Sequence, residues 1–175
     1  MKKILMLFAL AIPFVLSAQT SVQQSTVGFL SYNEGRVLAL AEKFSAEQYD
    51  WRPAEGVRSV GEVLMHIVQA NYMFMSAAGV APPAGVNPQT IASETTGKQQ
   101  IIDAVKASYV VLKDGITGIP DDHLGDEVQL PFPGEYNKLA VILLCLDHTS
   151  EHLGQLIAYA RMNGVTPPWS EGGDK

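Results

Sequence analysis

Residues 136–163 read YNKLAVILLCLDHTSEHLGQLIAYARMN. The run is too long for a strand and holds no proline, so it predicts a helix. Gly164 then supplies a helix stop, and Pro167-Pro168 prevent continuation. Within it, His148 and His152 stand four residues apart. Successive residues turn by about 100°, so the two imidazoles stack on one face, roughly 6 Å apart at their β-carbons. Cys145 and Leu156 share that face, which therefore points inward.

Upstream, three further stretches carry helical periodicity. Val22 to Phe44 places Phe29, Leu30, Val37, Leu38, Leu40 and Ala41 at three-to-four spacing, one apolar stripe. Ser45 and Gln48 form the pattern of a capping box for a short turn ending near Trp51, and Arg52-Pro53 stops it. Ser59 and Glu62 repeat that pattern at the start of a second helix, which runs through His66 to about Ala78. His66 lies in line with Val63, Ala70 and Met73, again an inward-tending face. Pro82, Pro83, Gly85 and Pro88 mark a loop. A third helix is expected from Thr96, with Gln99 as its capping partner, and ends before Gly118 and Pro120. Ile101, Ile102, Val105, Tyr109 and Leu112 carry its apolar face. The one strand candidate, Val128 to Phe132, is interrupted by proline. Four amphipathic helices without a sheet predict an all-α chain, an antiparallel four-helix bundle.

The first residues read differently. Lys2 and Lys3 precede an apolar run from Ile4 to Leu16, and Ser17-Ala18 offers small residues before Gln19. This is the three-part pattern of a secretory signal peptide over residues 1–18, cleaved after Ala18. The apolar run is short of the roughly 20 residues that span a bilayer. The expectation is a periplasmic or secreted domain over residues 19–175 with no membrane span after cleavage. Removing Lys2 and Lys3 takes the formal charge from −6 to −8. An acidic domain without a basic stripe repels phosphate backbones, so nucleic acid is not an expected partner. Cys145 is the only cysteine, so packing alone must hold the fold.

His66, His148 and His152 are three of four histidines, and all three fall on core-facing stripes. Helices of a bundle commonly supply metal ligands to the space between them. Three neutral imidazoles suit a divalent zinc, nickel or iron(II) ion and leave a position open for water or substrate. The opposing reading is three ordinary core histidines. His123 follows Asp121-Asp122 in a loop and reads as solvent-exposed.

Several other residues carry two readings each. Glu151 gives His148 to His152 the H-x-x-E-H form of an inverted zinc-protease motif, yet only 23 residues follow His152, against the larger chain that class needs. A solvated glutamate is the plainer reading. Asp147 either orients a ligand imidazole or lies on the surface. Cys145 is a fourth ligand or an inert core thiol. Gln155 hydrogen-bonds a metal-bound water or satisfies a core polar contact. Trp51 plugs one end of the bundle or forms a substrate platform. Tyr159 and Arg161 reach a cleft mouth or sit at the surface.

Two blocks together carry a family likeness. Tyr49-Asp-Trp-Arg-Pro53, followed by Ser59-Val-Gly-Glu62 and Leu64-Met-His66, is the first. His148-x-x-x-His152, Gly154-Gln-Leu156 and Tyr159-Ala-Arg161 form the second. The chain resembles the DinB-like (DinB/YfiT) superfamily from about Val22 to Ser170. The resemblance implies a four-helix bundle and a metal held by one histidine of the second helix and two of the last. Those positions map onto His66, His148 and His152. It also implies thiol S-transferase or isomerase activity in some relatives, and frequent dimers. The functional expectation is an exported metal-dependent hydrolase or thiol S-transferase acting on a small molecule. The alternative is a non-catalytic metal- or ligand-binding stress-related module. A homodimer is compatible with either.

Overall fold

The computed structural model describes residues 21–172, which are mostly helical. The leader read over residues 1–18 lies outside the described residues. Four long helices dominate: α1 (Val22–Lys43), α2 (Val60–Ala77), α4 (Lys98–Thr117) and α5 (Lys138–Met162). A single extra turn, α3 (Ile91–Glu94), sits between α2 and α4. Two-residue strands β1 (Glu127–Val128) and β2 (Tyr136–Asn137) pair antiparallel just before α5.

Local chemistry sets the boundaries. Ser21 and Gln24 form a reciprocal capping box at α1, and Ser59 and Glu62 form one at α2. Each pair satisfies two amides that a helix start leaves free, worth about 1 kcal/mol for the serine alone. The box expected at Thr96 and Gln99 does not form. Gly97 caps α4 without a side-chain bond, Gln100 reaches the Thr96 amide, and Gln99 turns to Asp103. Tyr136 and Asn137, expected inside the last helix, instead form β2, and Asn137 caps α5 through Ala140. The ribbon closes through Gly134, whose φ of 141° and contact with Tyr136 leave no room for a side chain. α5 ends as expected at Gly164: the Val165 amide reaches the Ala160 carbonyl at 2.8 Å and the Gly164 amide reaches Arg161 at 3.2 Å.

The helices pack α2 on α4 and α5, and α1 on α4 and α5. Their common core holds Leu30, Val37, Leu40, Leu64, Ile67, Tyr109, Leu112, Ile142 and Leu156. Phe29, expected on the inner stripe of α1, is 63% exposed. The buried face of α1 instead runs Gln23, Thr26, Leu30, Asn33, Val37, Leu40. Leu30, Val37, Leu40 and Ala41 are buried as expected, but Gln23, Thr26 and Asn33 share that face, which counting apolar residues alone did not reveal. The amide donors on this face, and Glu34 beside it, are partnered. Gln23 donates to the Ile119 carbonyl and to Asp121, Asn33 donates to Ser150 at 3.0 Å, and Glu34 pairs with Lys113. Lys98 at the start of α4 donates to the carbonyls of Glu42 and Phe44, capping the end of α1.

Candidate metal centre

His66 lies mid-way along α2, at a height fixed by the Ser59 cap. His148 and His152 lie one turn apart in the middle of α5, which packs against α2. The three rings converge. Their centroids are 4.9 Å apart for His66–His148, 4.7 Å for His66–His152 and 4.4 Å for His148–His152. The Nε2 atoms of His66 and His148 are 3.1 Å apart, and one ring nitrogen from each histidine lies within 4.8 Å of the others.

Burial shapes the chemistry of these rings. It holds His66 down to about 4, helped by the nearby Arg58 charge and by His152. It holds His148 down to about 3, with His152, His66 and Arg58 adding to the effect. Both rings are therefore neutral near pH 7 and keep a lone pair for a cation.

A directional chain fixes the tautomer of His152. The Arg58 carbonyl can only accept, so the Tyr159 hydroxyl donates to it at 3.0 Å. The Tyr159 oxygen then accepts from Gln155 Nε2 at 2.9 Å. That turns Gln155 Oε1 toward His152 Nδ1, 2.8 Å away, so Nδ1 carries the proton. The Nε2 lone pair of His152 is left free. Trp51 packs edge-on against Tyr159 with centroids 5.3 Å apart and steadies this chain. The Nδ1 atom of His148, by contrast, is buried with no hydrogen-bond partner, and Phe74 packs edge-on against its ring.

The set fits a small divalent cation. Nitrogens each about 2.1 Å from a tetrahedral ion stand roughly 3.4 Å apart. The His66–His148 pair is already near that separation at 3.1 Å, and the widest pair, within 4.8 Å, needs to close by up to roughly 1.4 Å through ring rotation. Three protein ligands leave a coordination position open, as reactive zinc sites do.

The remaining sequence candidates fall elsewhere. Cys145 is buried outside the histidine group, and burial pushes its thiol far above the ordinary range. Asp147 and Glu151 are exposed, so neither orients a ligand ring and the protease-like motif has no inward base. Tyr159 is buried, and its hydroxyl is used by the chain above. Arg161 is exposed, and His123 is exposed and pairs with Asp126 at 2.8 Å. Arg58 is the residue that sequence reasoning missed. The only local signal was its place directly before the Ser59 cap, which brings its charge to the histidines.

Two cavities meet at His66. The larger, about 1010 Å³, opens over His66 and His148. The smaller, about 580 Å³, holds Arg52 and Arg58 on the other side.

Comparison with known proteins adds a family to this geometry. The model of the DinB superfamily matches residues 30–156, which include all three histidines. The chain belongs to the DinB superfamily. YjoA of Bacillus subtilis (strain 168) is 28% identical over 131 residues, covering 73% of this chain and 81% of YjoA. The crystal structure of YjoA, a DinB-like protein, superimposes with a TM-score of 0.64 at 22% identity, covering 81% of this chain and 93% of that one. A DinB-like protein from Bacillus cereus ATCC 10987 gives a TM-score of 0.68 at 17% identity, covering 85% and 97%. At those identities the two structures speak for the helical DinB-like fold alone. Among the described residues no helix is long and apolar enough to cross a membrane.

Proposed function

We propose that this DinB superfamily chain is an exported metal-dependent enzyme, a hydrolase or thiol S-transferase acting on a small molecule. In this reading the four long helices form an antiparallel bundle, and residues 1–18 are a signal peptide cleaved after Ala18. His66, His148 and His152 hold one divalent ion, zinc or nickel foremost and iron as the further candidate. The observation that carries the reading is the convergence of three imidazoles, two of which, His66 and His148, line an open cleft. Such an ion supplies Lewis acidity and lowers the pKa of a bound water or thiol.

The protein's own groups divide the remaining work. His66 and His148 present neutral rings because burial disfavours their charged forms. His152 is aimed by Gln155, and Gln155 is aimed by Tyr159. Outer partners of this kind hold ligand rings in orientation and raise their basicity. The Arg58 charge close to His66 and His148 favours negative charge developing beside them. The cleft wall gives a substrate a partly dry approach.

A second reading, a non-catalytic metal- or ligand-binding module, draws on a specific feature. Among the described residues no carboxylate lines the larger cleft, and Asp50 and Glu62 line the smaller cavity on the other side of His66. Two measurements decide. Metal content after loading with zinc, nickel or iron(II) should approach one ion per chain and collapse in His148→Ala. A value below about 0.1 ion per chain overturns the metal reading. Turnover of thiols with small electrophiles by the loaded protein, absent in His148→Ala, separates enzyme from binding module.

A further inference from the structure

The wall of the larger cavity has a distinctive chemistry. Among the described residues, its only ionisable lining side chains are His66 and His148. Met73 and Phe74 from α2 line it together with Pro82, Pro131 and Phe132 from the loops. The other polar wall groups are amides and a hydroxyl, such as Gln69 and Gln129. Gln69 already spends a donor on the Pro88 carbonyl at 3.2 Å, which ties α2 to the loop and holds the wall in place. Phe132 is 37% exposed and is held edge-on to Tyr136 at 5.4 Å, so the loop offers an aromatic surface without collapsing inward.

Charge decides what such a cleft accepts. A carboxylate entering it sheds water and meets no guanidinium or ammonium on the wall. The chain's formal charge of −6 adds an unfavourable long-range field. An ammonium group meets no carboxylate there. Arg52 and Arg58, the cations near His66, line the smaller cavity instead. An uncharged apolar body loses little hydration and gains contact with the aromatic and proline surfaces. The volume lies at the upper end of small-molecule pockets, so the occupant is a drug-sized body and not a two- or three-atom ligand.

We propose that the wall of the cleft over His66 and His148 takes an uncharged, largely apolar body, and that it disfavours a carboxylate carried on that body, whichever head group meets the histidines. The placing of a sulfur or oxygen head group at the histidines rests on the metal reading above; recognition of the apolar body does not.

Matched probes test the two parts separately. Three thiols share one skeleton: 4-phenylbutane-1-thiol, its para-carboxylate and its para-aminomethyl analogue. The three methyl thioethers of the same compounds keep the body but forfeit thiolate coordination. Calorimetry with zinc-loaded full chain should rank the neutral thiol at least about tenfold tighter than either charged one. The thioethers should rank in the same order on His148→Ala protein, where the proposed ion is lost. Gln129→Lys adds a cation to the wall at an exposed loop position. It should narrow the gap between neutral and carboxylated probes by about fivefold or more. Neutral-first ranking of the thioethers without zinc uptake by the wild type keeps this inference and removes the metal centre. Equal or tighter binding of the carboxylated probes by wild-type protein overturns the inference, as does failure of every thioether to bind.

Discussion

Replacing Gln155 by leucine tests how far the hydrogen-bond chain behind His152 governs the proposed metal centre. Leucine is close in size but cannot accept from His152 Nδ1, now bonded at 2.8 Å, or donate to Tyr159, now bonded at 2.9 Å. His152 is only 6% exposed, so water does not readily replace the lost acceptor. Leaving such a donor unpaired costs about 1–3 kcal/mol. Loss of an outer partner of a ligating histidine typically weakens metal affinity about 10- to 100-fold, about 1.4–2.7 kcal/mol. The two estimates agree, so zinc Kd should rise by that factor in Gln155→Leu. Gln155→Glu keeps an acceptor and adds charge, and should bind zinc at least as tightly as the wild type. The assay is competition for zinc against a chelating chromophore at neutral pH, with circular dichroism confirming the helical fold. A Gln155→Leu affinity within about twofold of the wild type refutes the reasoning. So does an equal loss when the substitution is made on a His152→Ala background, where the chain no longer ends on a ligand.

Acid should weaken the metal-free fold earlier than carboxylates alone would dictate. Unfolded histidines take up protons near pH 6.5, whereas His66 and His148 resist until about 4 and about 3. The unfolded state therefore binds more protons in that window, and stability falls as pH drops from about 6.5 toward 4. Thermal melts of apoprotein across that range should show it, with a shallower slope in His148→Leu; an unchanged slope contradicts the assignment. In the core, Leu112→Ala should cost about 2–5 kcal/mol in urea denaturation, whereas Phe29→Ala should stay within about 0.5 kcal/mol. A large Phe29 effect would restore the apolar-stripe reading of α1. Ser59→Ala removes the α2 cap and should cost about 1 kcal/mol by the same method.

The long helices were legible because period and punctuation agreed. Ser59 with Glu62 and Gly164 with Pro167 mark ends by mechanisms that need only neighbouring residues. The three histidines were legible because each sits on an inward face set by spacing alone. What escaped depends on partners distant in sequence. Polar residues can share the inner face of α1 or flank it because Asp121, Ser150 and Lys113 come to meet them, and no local pattern announces that. Gln155 has an orienting role because Arg58, 97 positions earlier, anchors the Tyr159 hydroxyl that aims it. Asp147 was the natural candidate for that role by adjacency, but its helical position turns it to solvent. The β1–β2 ribbon was too short for any alternating pattern to register.

The mixed face of α1 has a consequence for how its place along its neighbours is chosen. An all-leucine stripe can slide by a turn, about 5.4 Å, and still find oil to sit in. Gln23, Asn33 and Glu34 work instead like the teeth of a key, each cut for one ward on a different element. A one-turn slip strands all three together, at about 1–3 kcal/mol apiece. The first helix thus trades some adhesive strength for a single permitted alignment, and that alignment holds α5, with both of its histidines, at one height.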